Sequence, residues 1–170
     1  EIQYCDWSSD VCSSDLEEIE AKNPTGIILG GGPSIKGAGN SEKYIMHFDI
    51  PILGICLGHQ LIAKTYGGKV STSETESYAQ VKININNDEN LFKSLAPKMT
   101  VWSSHKDEVK TMPKEFTILS SSNLCDVESF KHKDKDVYGI QFHPEVHHTP
   151  KGSVIFENFY NICKERCNND

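Results

Sequence analysis

Pro51-Ile-Leu-Gly-Ile-Cys-Leu-Gly-His-Gln-Leu-Ile-Ala-Lys-Thr-Tyr-Gly-Gly68 changes its hydrophobic texture at a single residue, Cys56. Residues 51–55 form a short apolar run suited to a strand buried on both faces. Residues 57–66 suit a helix, which Gly67-Gly68 ends. A buried strand that runs straight into a helix is half of a β-α unit, and the same alternation appears upstream. Gly26-Ile-Ile-Leu29 is a second all-apolar strand; it follows a short helix over 16–22 that Asn23-Pro24 stops, and residues 41–48 read as a helix after Asn40. Past Gly68 the texture shifts to shorter alternating segments at 80–85, 100–103, 116–120 and 127–131, which predict antiparallel strands. Residues 137–142 make a further apolar run. Ile155, Phe159, Ile162 and Cys163 recur at helical spacing and predict a C-terminal helix over 153–167. The fold class is therefore α/β: a mostly parallel sheet flanked by helices, with a smaller antiparallel portion.

The chain has 170 residues, 37% hydrophobic and 24% charged, the proportions of one ordinary globular domain. Its longest apolar stretches, 26–29 and 50–57, fall far short of the roughly 18 residues a membrane-spanning helix needs. No signal-type start precedes them, so a cytoplasmic protein with no membrane partner is expected. The net charge is −7, and Glu1, Asp6, Asp10 and Asp15 supply four of the negatives. The only Arg is Arg166; with no cluster of guanidinium groups, nucleic acid is excluded as a partner. The six Cys, at 5, 12, 56, 125, 163 and 167, show no paired Cys-x-x-Cys and read as reduced thiols without a metal site.

Gly54-Ile-Cys56-Leu-Gly58 has the spacing of a nucleophile elbow with Cys in place of Ser. A strand that turns sharply into a helix leaves no room for side chains two residues either side of the nucleophile. The turn also sets the thiol at a helix N-terminus and aims the Leu57 amide at a nearby oxyanion. Read alone, the motif equally fits a buried structural thiol in a Gly-rich turn. His143-Pro144-Glu145 follows the apolar run, and in extended chain His143 and Glu145 point to the same side, with Pro144 holding His143 extended. Cys56, His143 and Glu145 thus form a candidate triad of nucleophile, base and orienter. Gly30-Gly-Gly-Pro33 matches no phosphate-loop spacing; the Gly32 amide reads better as a second oxyanion donor facing that of Leu57.

Gly31-Gly-Pro33, Pro51-Ile-Leu-Gly-Ile-Cys-Leu-Gly-His-Gln60 and Gly139-Ile-Gln-Phe-His-Pro-Glu145 resemble, in that order, the three signature segments of class I glutamine amidotransferases. Within that family Ser104-His-Lys-Asp-Glu-Val109 and Glu76-Ser-Tyr-Ala79 resemble the GMP synthetase branch. Cys125-Asp-Val-Glu128 with Lys131-His132 is similar to the form whose glutaminase is a separate polypeptide. The resemblance implies a flavodoxin-like fold, a Cys56-His143-Glu145 triad, and a Gly32-Leu57 oxyanion hole. It also implies that Gln60 and a loop of Ser104, His105, Lys106 and Asp107 hold the amino-acid end of glutamine. No cofactor or metal is implied in this chain. A partner ATP-pyrophosphatase subunit would use ATP and Mg²⁺ to activate xanthosine monophosphate and accept the ammonia, so the assembly would be a heterodimer. A glutaminase component of anthranilate or aminodeoxychorismate synthase, a cysteine peptidase with the same elbow, and an inactive interaction subunit remain open here.

Family members begin with a strand, a helix and a second strand before the counterpart of Leu16. Here Asp-Trp-Ser-Ser-Asp-Val-Cys-Ser-Ser-Asp-Leu, ending at Leu16, reads instead like a translated sequencing adapter. Residues 1–15 are expected to be a non-native or disordered tail, 16–167 an N-terminally truncated amidotransferase domain, and 168–170 a tail. The first strand is expected to be missing, leaving residues 26–29 with an open edge that invites aggregation.

Overall fold

The computed structural model describes residues 2–5, 16–32, 35 and 38–169; of residues 2–5, 74–76 and 169 the backbone alone is described. Among the described residues eight strands and four α-helices follow one another as β1 (Ile2–Cys5), α1 (Leu16–Ala21), β2 (Gly26–Leu29), α2 (Ser41–His47), β3 (Ile52–Ile55), α3 (Leu57–Thr65), β4 (Lys69–Ile85), β5 (Lys98–Thr111), β6 (Phe116–Ser121), β7 (Ser129–His132), β8 (Val137–Ile140) and α4 (Gly152–Asn169). They form one sheet in the order β1-β2-β3-β8-β7-β6-β4-β5. The first four in that order run parallel, and the remaining pairings are antiparallel.

Alternation along the central strands explains why both faces are covered. Ile27, Leu29 and Ile52 join one apolar cluster with Ile19 of α1, Tyr44 and Ile45 of α2, and Leu61 and Ile62 of α3. Their neighbours Ile28, Leu53 and Ile55 point the other way and pack with Ile155, Phe159 and Cys163 of α4. Ile27 pairs with Ile52 and Ile28 with Leu53, so each face keeps its own row across strands. Burying one such side chain contributes about 1.5–3 kcal/mol, which is why these short all-apolar runs settle in the middle of the sheet.

The sequence reading differs from the structure at three places. Ile2–Cys5 is a strand, paired in parallel with β2 from Ile2↔Gly26 to Cys5↔Leu29, so the edge expected to stand open is occupied and this part of the expected tail is structured. The backbone of β2 offers a row of donors and acceptors to any extended neighbour, and the Ile-Gln-Tyr-Cys segment, rich in β-formers, lies just ahead of the Ser- and Asp-rich stretch that dominated the reading. Residues 6–15 lie outside the described residues. The antiparallel strands are longer than alternation predicts: β4 and β5 form a ribbon of 17 and 14 residues. The polar run of Ser, Thr and Glu over 71–77 hid this continuation, because ladder hydrogen bonds do not require apolar side chains. Ser104 to Asp107, expected as a loop, lies within β5. The ribbon is irregular there: Thr72 pairs with Asp107 and Ser77 with His105, so residues 73–76 stand opposite Lys106 alone. Such a bulge bends the strand and redirects its side chains.

Among the described residues no helix is long and apolar enough to cross a membrane, and no group of three or more His, Cys, Asp and Glu is placed to hold a metal.

One buried acid makes the fold sensitive to pH. Glu128 is fully buried; its Oε1 accepts a hydrogen bond from Ser122 Oγ at 2.7 Å, while Oε2 has no partner among the described residues. Burial, opposed by the Ser122 bond and reinforced by the Glu108 charge, raises its pKa from 4.5 to about 7. Between these two values the folded chain holds a proton that the unfolded chain has released, so stability falls as pH rises from 4.5 to 7 and then levels off. Glu128→Gln should therefore gain stability over the parent across that window, reaching roughly 3 kcal/mol at and above neutrality. Denaturant melts at pH 5 and 8 check this; an equal difference at both values contradicts it.

Candidate active site

Cys56 stands between β3 and α3, at the N-cap of the helix, with φ 52° and ψ −99°. A left-handed φ is strained for any residue but glycine and persists only where the surroundings enforce it. Here they do. A Cβ on Gly54 would lie 2.5 Å from the Gly58 carbonyl, and one on Gly58 would lie 2.3 Å from the Leu29 carbonyl oxygen. Backbone packs on backbone at both positions, so the elbow tolerates no side chain. The Cys56 N–H donates to the Ile140 carbonyl at 2.8 Å, which ties the elbow to β8.

Just beyond β8, His143 leaves the strand and is clamped through its main chain. Its N–H donates to the Trp102 carbonyl at 3.0 Å, and its carbonyl accepts from Thr149 Oγ1 at 2.6 Å. The same Thr149 oxygen accepts the Trp102 N–H at 2.9 Å, so one buried hydroxyl fastens β5 to the His143 segment. Because β3 and β8 are parallel neighbours, Cys56 and His143 emerge at the same carboxyl edge of the sheet. The His143 Nδ1 lies 2.7 Å from Glu145 Oε1.

Burial pushes the His143 imidazole down, but hydrogen bonds to Cys56 and Glu145, with the charges of both, outweigh it and hold its pKa up at about 10. An imidazole held protonated between a thiol and a carboxylate suits a thiolate–imidazolium pair. Burial, followed by the Glu128 charge, raises Cys125 strongly, and burial with Cys167 nearby pushes Cys163 up to about 12. The four Cys with described side chains form no disulfide.

Beside Cys56 opens a cavity of about 350 Å³. Gly32, Leu57, Gln60, Ser104, His105, Lys106 and Asp107 line it, joined by Thr72 and Tyr78. All the residues proposed for oxyanion and substrate binding therefore converge on one hollow next to the thiol. His143 and Glu145 do not line it; the His143 ring stands by Gly31, where an added Cβ would come 3.3 Å from its Cε1. Gln60 Nε2 donates to the Asp107 carbonyl at 2.7 Å, and Thr72 Oγ1 donates to Asp107 Oδ1 at 2.9 Å. His105 is nearly buried, and burial lowers its pKa against the pull of Glu108, so it faces the hollow as a neutral ring. Thr72, Thr149 and Gly31 had no assigned role in the sequence reading. Thr149 follows Glu145 by four residues and Thr72 precedes Glu76 by four, but neither stands within a signature segment, and only the ribbon and the sheet edge bring them in; Gly31 was visible as part of a glycine run. Pro33 and the Glu76 side chain fall outside the described residues.

The family model described as glutamine amidotransferase class-I matches residues 3–163, and the chain belongs to that family. Among curated relatives it is 81% identical over 99% of its length, and 90% of the other's, to the glutamine-hydrolyzing GMP synthase subunit of Methanobrevibacter smithii. It is 58% identical to the protein of the same name from Methanothermobacter thermautotrophicus, over 89% of this chain and 82% of the other. Among solved structures, a protein from Thermoplasma acidophilum assigned as the same GMP synthase subunit superposes with a TM-score of 0.85 at 37% identity, covering 91% of this chain and 80% of that one. A Thermotoga maritima glutamine amidotransferase shares the fold at a TM-score of 0.68 and 20% identity, over 99% of this chain and 82% of the other.

Two outcomes follow from this geometry. Gly58→Ala should destabilise the fold by several kcal/mol, because its methyl meets the Leu29 backbone; a melt within about 1 kcal/mol of the parent contradicts the elbow packing. In Glu145→Gln the imidazolium loses its carboxylate, so the pKa of His143 should fall by about one unit or more. Titration of the His143 ring by NMR reads this directly, and an unshifted titration contradicts the pairing.

Proposed function

We propose that this chain is the glutamine-hydrolysing subunit of a two-subunit GMP synthase. The observation that carries the reading is the coupling of His143 to both Cys56 and Glu145, with Cys56 itself lining a polar hollow. The names of the close relatives support the particular branch.

In this reading glutamine enters with its amino-acid end toward Gln60, Ser104, His105, Lys106 and Asp107, and its side-chain amide toward Cys56. The thiolate attacks the amide carbon, and the oxygen that becomes negative is held by the Gly32 and Leu57 amides. The C–N bond breaks as His143 gives its proton to the departing nitrogen, releasing ammonia and leaving a γ-glutamyl thioester. His143 then takes a proton from water, the hydroxide adds to the thioester carbon, and glutamate leaves as the thiolate re-forms. Glu145 keeps the ring oriented throughout.

Ammonia passes to a separate ATP-pyrophosphatase subunit, which activates xanthosine monophosphate with ATP and Mg²⁺ and forms GMP. That division of labour is supported by the relatives' names, which make each of them one subunit of a synthase and not the whole. Within the complex, Cys56→Ala should remove glutamine-dependent GMP formation while leaving formation from added ammonia largely intact. His143→Ala should behave alike, and Glu145→Ala should be milder, since an orienter contributes less than the base. Equal loss with both nitrogen donors contradicts the assignment of the two half-reactions to two chains.

A further inference from the structure

We propose that Gln141 is a further catalytic residue, whose side-chain amide presents an N–H to the Cys56 sulfur. The inference rests on Cys56 being the nucleophile and adds a partner to it. Gln141 is fully buried, and its Nε2 lies 3.7 Å from Cys56 Sγ, within hydrogen-bonding range for sulfur.

A carboxamide can present either its NH₂ or its oxygen, so the argument depends on which way it is turned. The hydrogen bonds fix this from the far end. The Asp107 main-chain carbonyl can only accept, so the group facing it at 2.7 Å is the Gln60 NH₂. The second hydrogen of that NH₂ points at Gln141 at 3.2 Å, so the Gln141 atom there is its oxygen. Its NH₂ is then left facing Cys56. A main-chain carbonyl in β5 thereby sets, through two glutamine side chains, the polarity of the contact made at the nucleophile.

The surroundings keep that arrangement in place. Gln141 is held by its own main chain, whose N–H donates to the Glu128 carbonyl at 2.8 Å. Behind it His59 stacks on Phe130 with ring centroids 4.6 Å apart. Burial, with the neighbouring His105, lowers the His59 pKa to about 3, so no positive charge competes for the sulfur from that side. A buried N–H aimed at sulfur stabilises negative charge on it more than a neutral thiol, and this contribution is already in place before substrate arrives. Cys56 thus has two donors, the His143 imidazolium and the Gln141 amide. The second ties the nucleophile to the side chain that borders the glutamine hollow.

The test is the rate at which iodoacetamide alkylates Cys56 in the intact chain at pH 7, followed by peptide mass spectrometry, with kcat and KM for glutamine measured alongside. In the parent chain Cys56 should react faster than Cys125, Cys163 and Cys167; if it does not, the nucleophile assignment itself fails, whatever Gln141 does. Gln141→Met keeps the length and removes the donor, and alkylation of Cys56 should slow by about tenfold. Gln141→Glu keeps the acceptor for Gln60 but turns a carboxylate oxygen to the sulfur, and should slow alkylation further. Both should lower kcat while leaving KM within about threefold. The glutamate variant preserves shape and one hydrogen bond, so it serves as the reading if the methionine variant does not unfold cooperatively. Alkylation at the parent rate in a folded variant, or a loss confined to KM, overturns the proposal.

Discussion

The constraint on which the rest of the structure depends is the contact of Gly58 with Leu29 and Gly54 across the start of α3. Three stretches of main chain meet there with no side chain between them. That closeness lets β3 turn directly into a helix, and it holds Cys56 at φ 52°. The strain is local, while the apolar rows on both faces of β2 and β3 hold it in place. A thiol in this position leads a helix, borders a hollow, and is hooked to β8 through Ile140. The chemistry of the site therefore begins as a packing problem between glycines and a neighbouring strand.

The second half of the sheet supplies what the elbow lacks. A parallel half alone would expose Cys56 and His143 at its edge with nothing opposite them. The long β4–β5 ribbon, bulged in β4 opposite Lys106, provides the opposite wall, and it holds the His143 segment through Trp102 and Thr149. The same ribbon contributes the Asp107 carbonyl that sets the direction of the Gln60 and Gln141 amides. Cys56, His143 and the wall opposite them thus come from separate elements, and main-chain hydrogen bonds join them.

The parts of this arrangement that the sequence revealed are those fixed by local geometry. Gly54-x-Cys-x-Gly58 announces the elbow because only glycine survives there, and His143-Pro-Glu145 announces its pairing because residues two apart in an extended chain face the same way. The all-apolar strands declared a sheet covered on both sides. Long-range placement was not legible in the same way. The polar run 71–77 carries no alternation, so the ribbon appears only once β5 pairs with it, and Ser104 to Asp107 read as a loop for that reason. Gln141 stood inside a signature segment, but its role depends on a carbonyl more than thirty residues away in the chain. Ile2–Cys5 was obscured by the unusual residues that follow it.

The central claim is that Cys56 is acylated by glutamine during turnover, and the most direct measurement is rapid acid quenching of the chain with glutamine, followed by peptide mass spectrometry. The account predicts a transient γ-glutamyl group on Cys56 that forms before glutamate appears and decays with it, and that is absent in Cys56→Ala. Turnover of glutamine with no acyl group at Cys56, or with the group on Cys125 or Cys163, would contradict it.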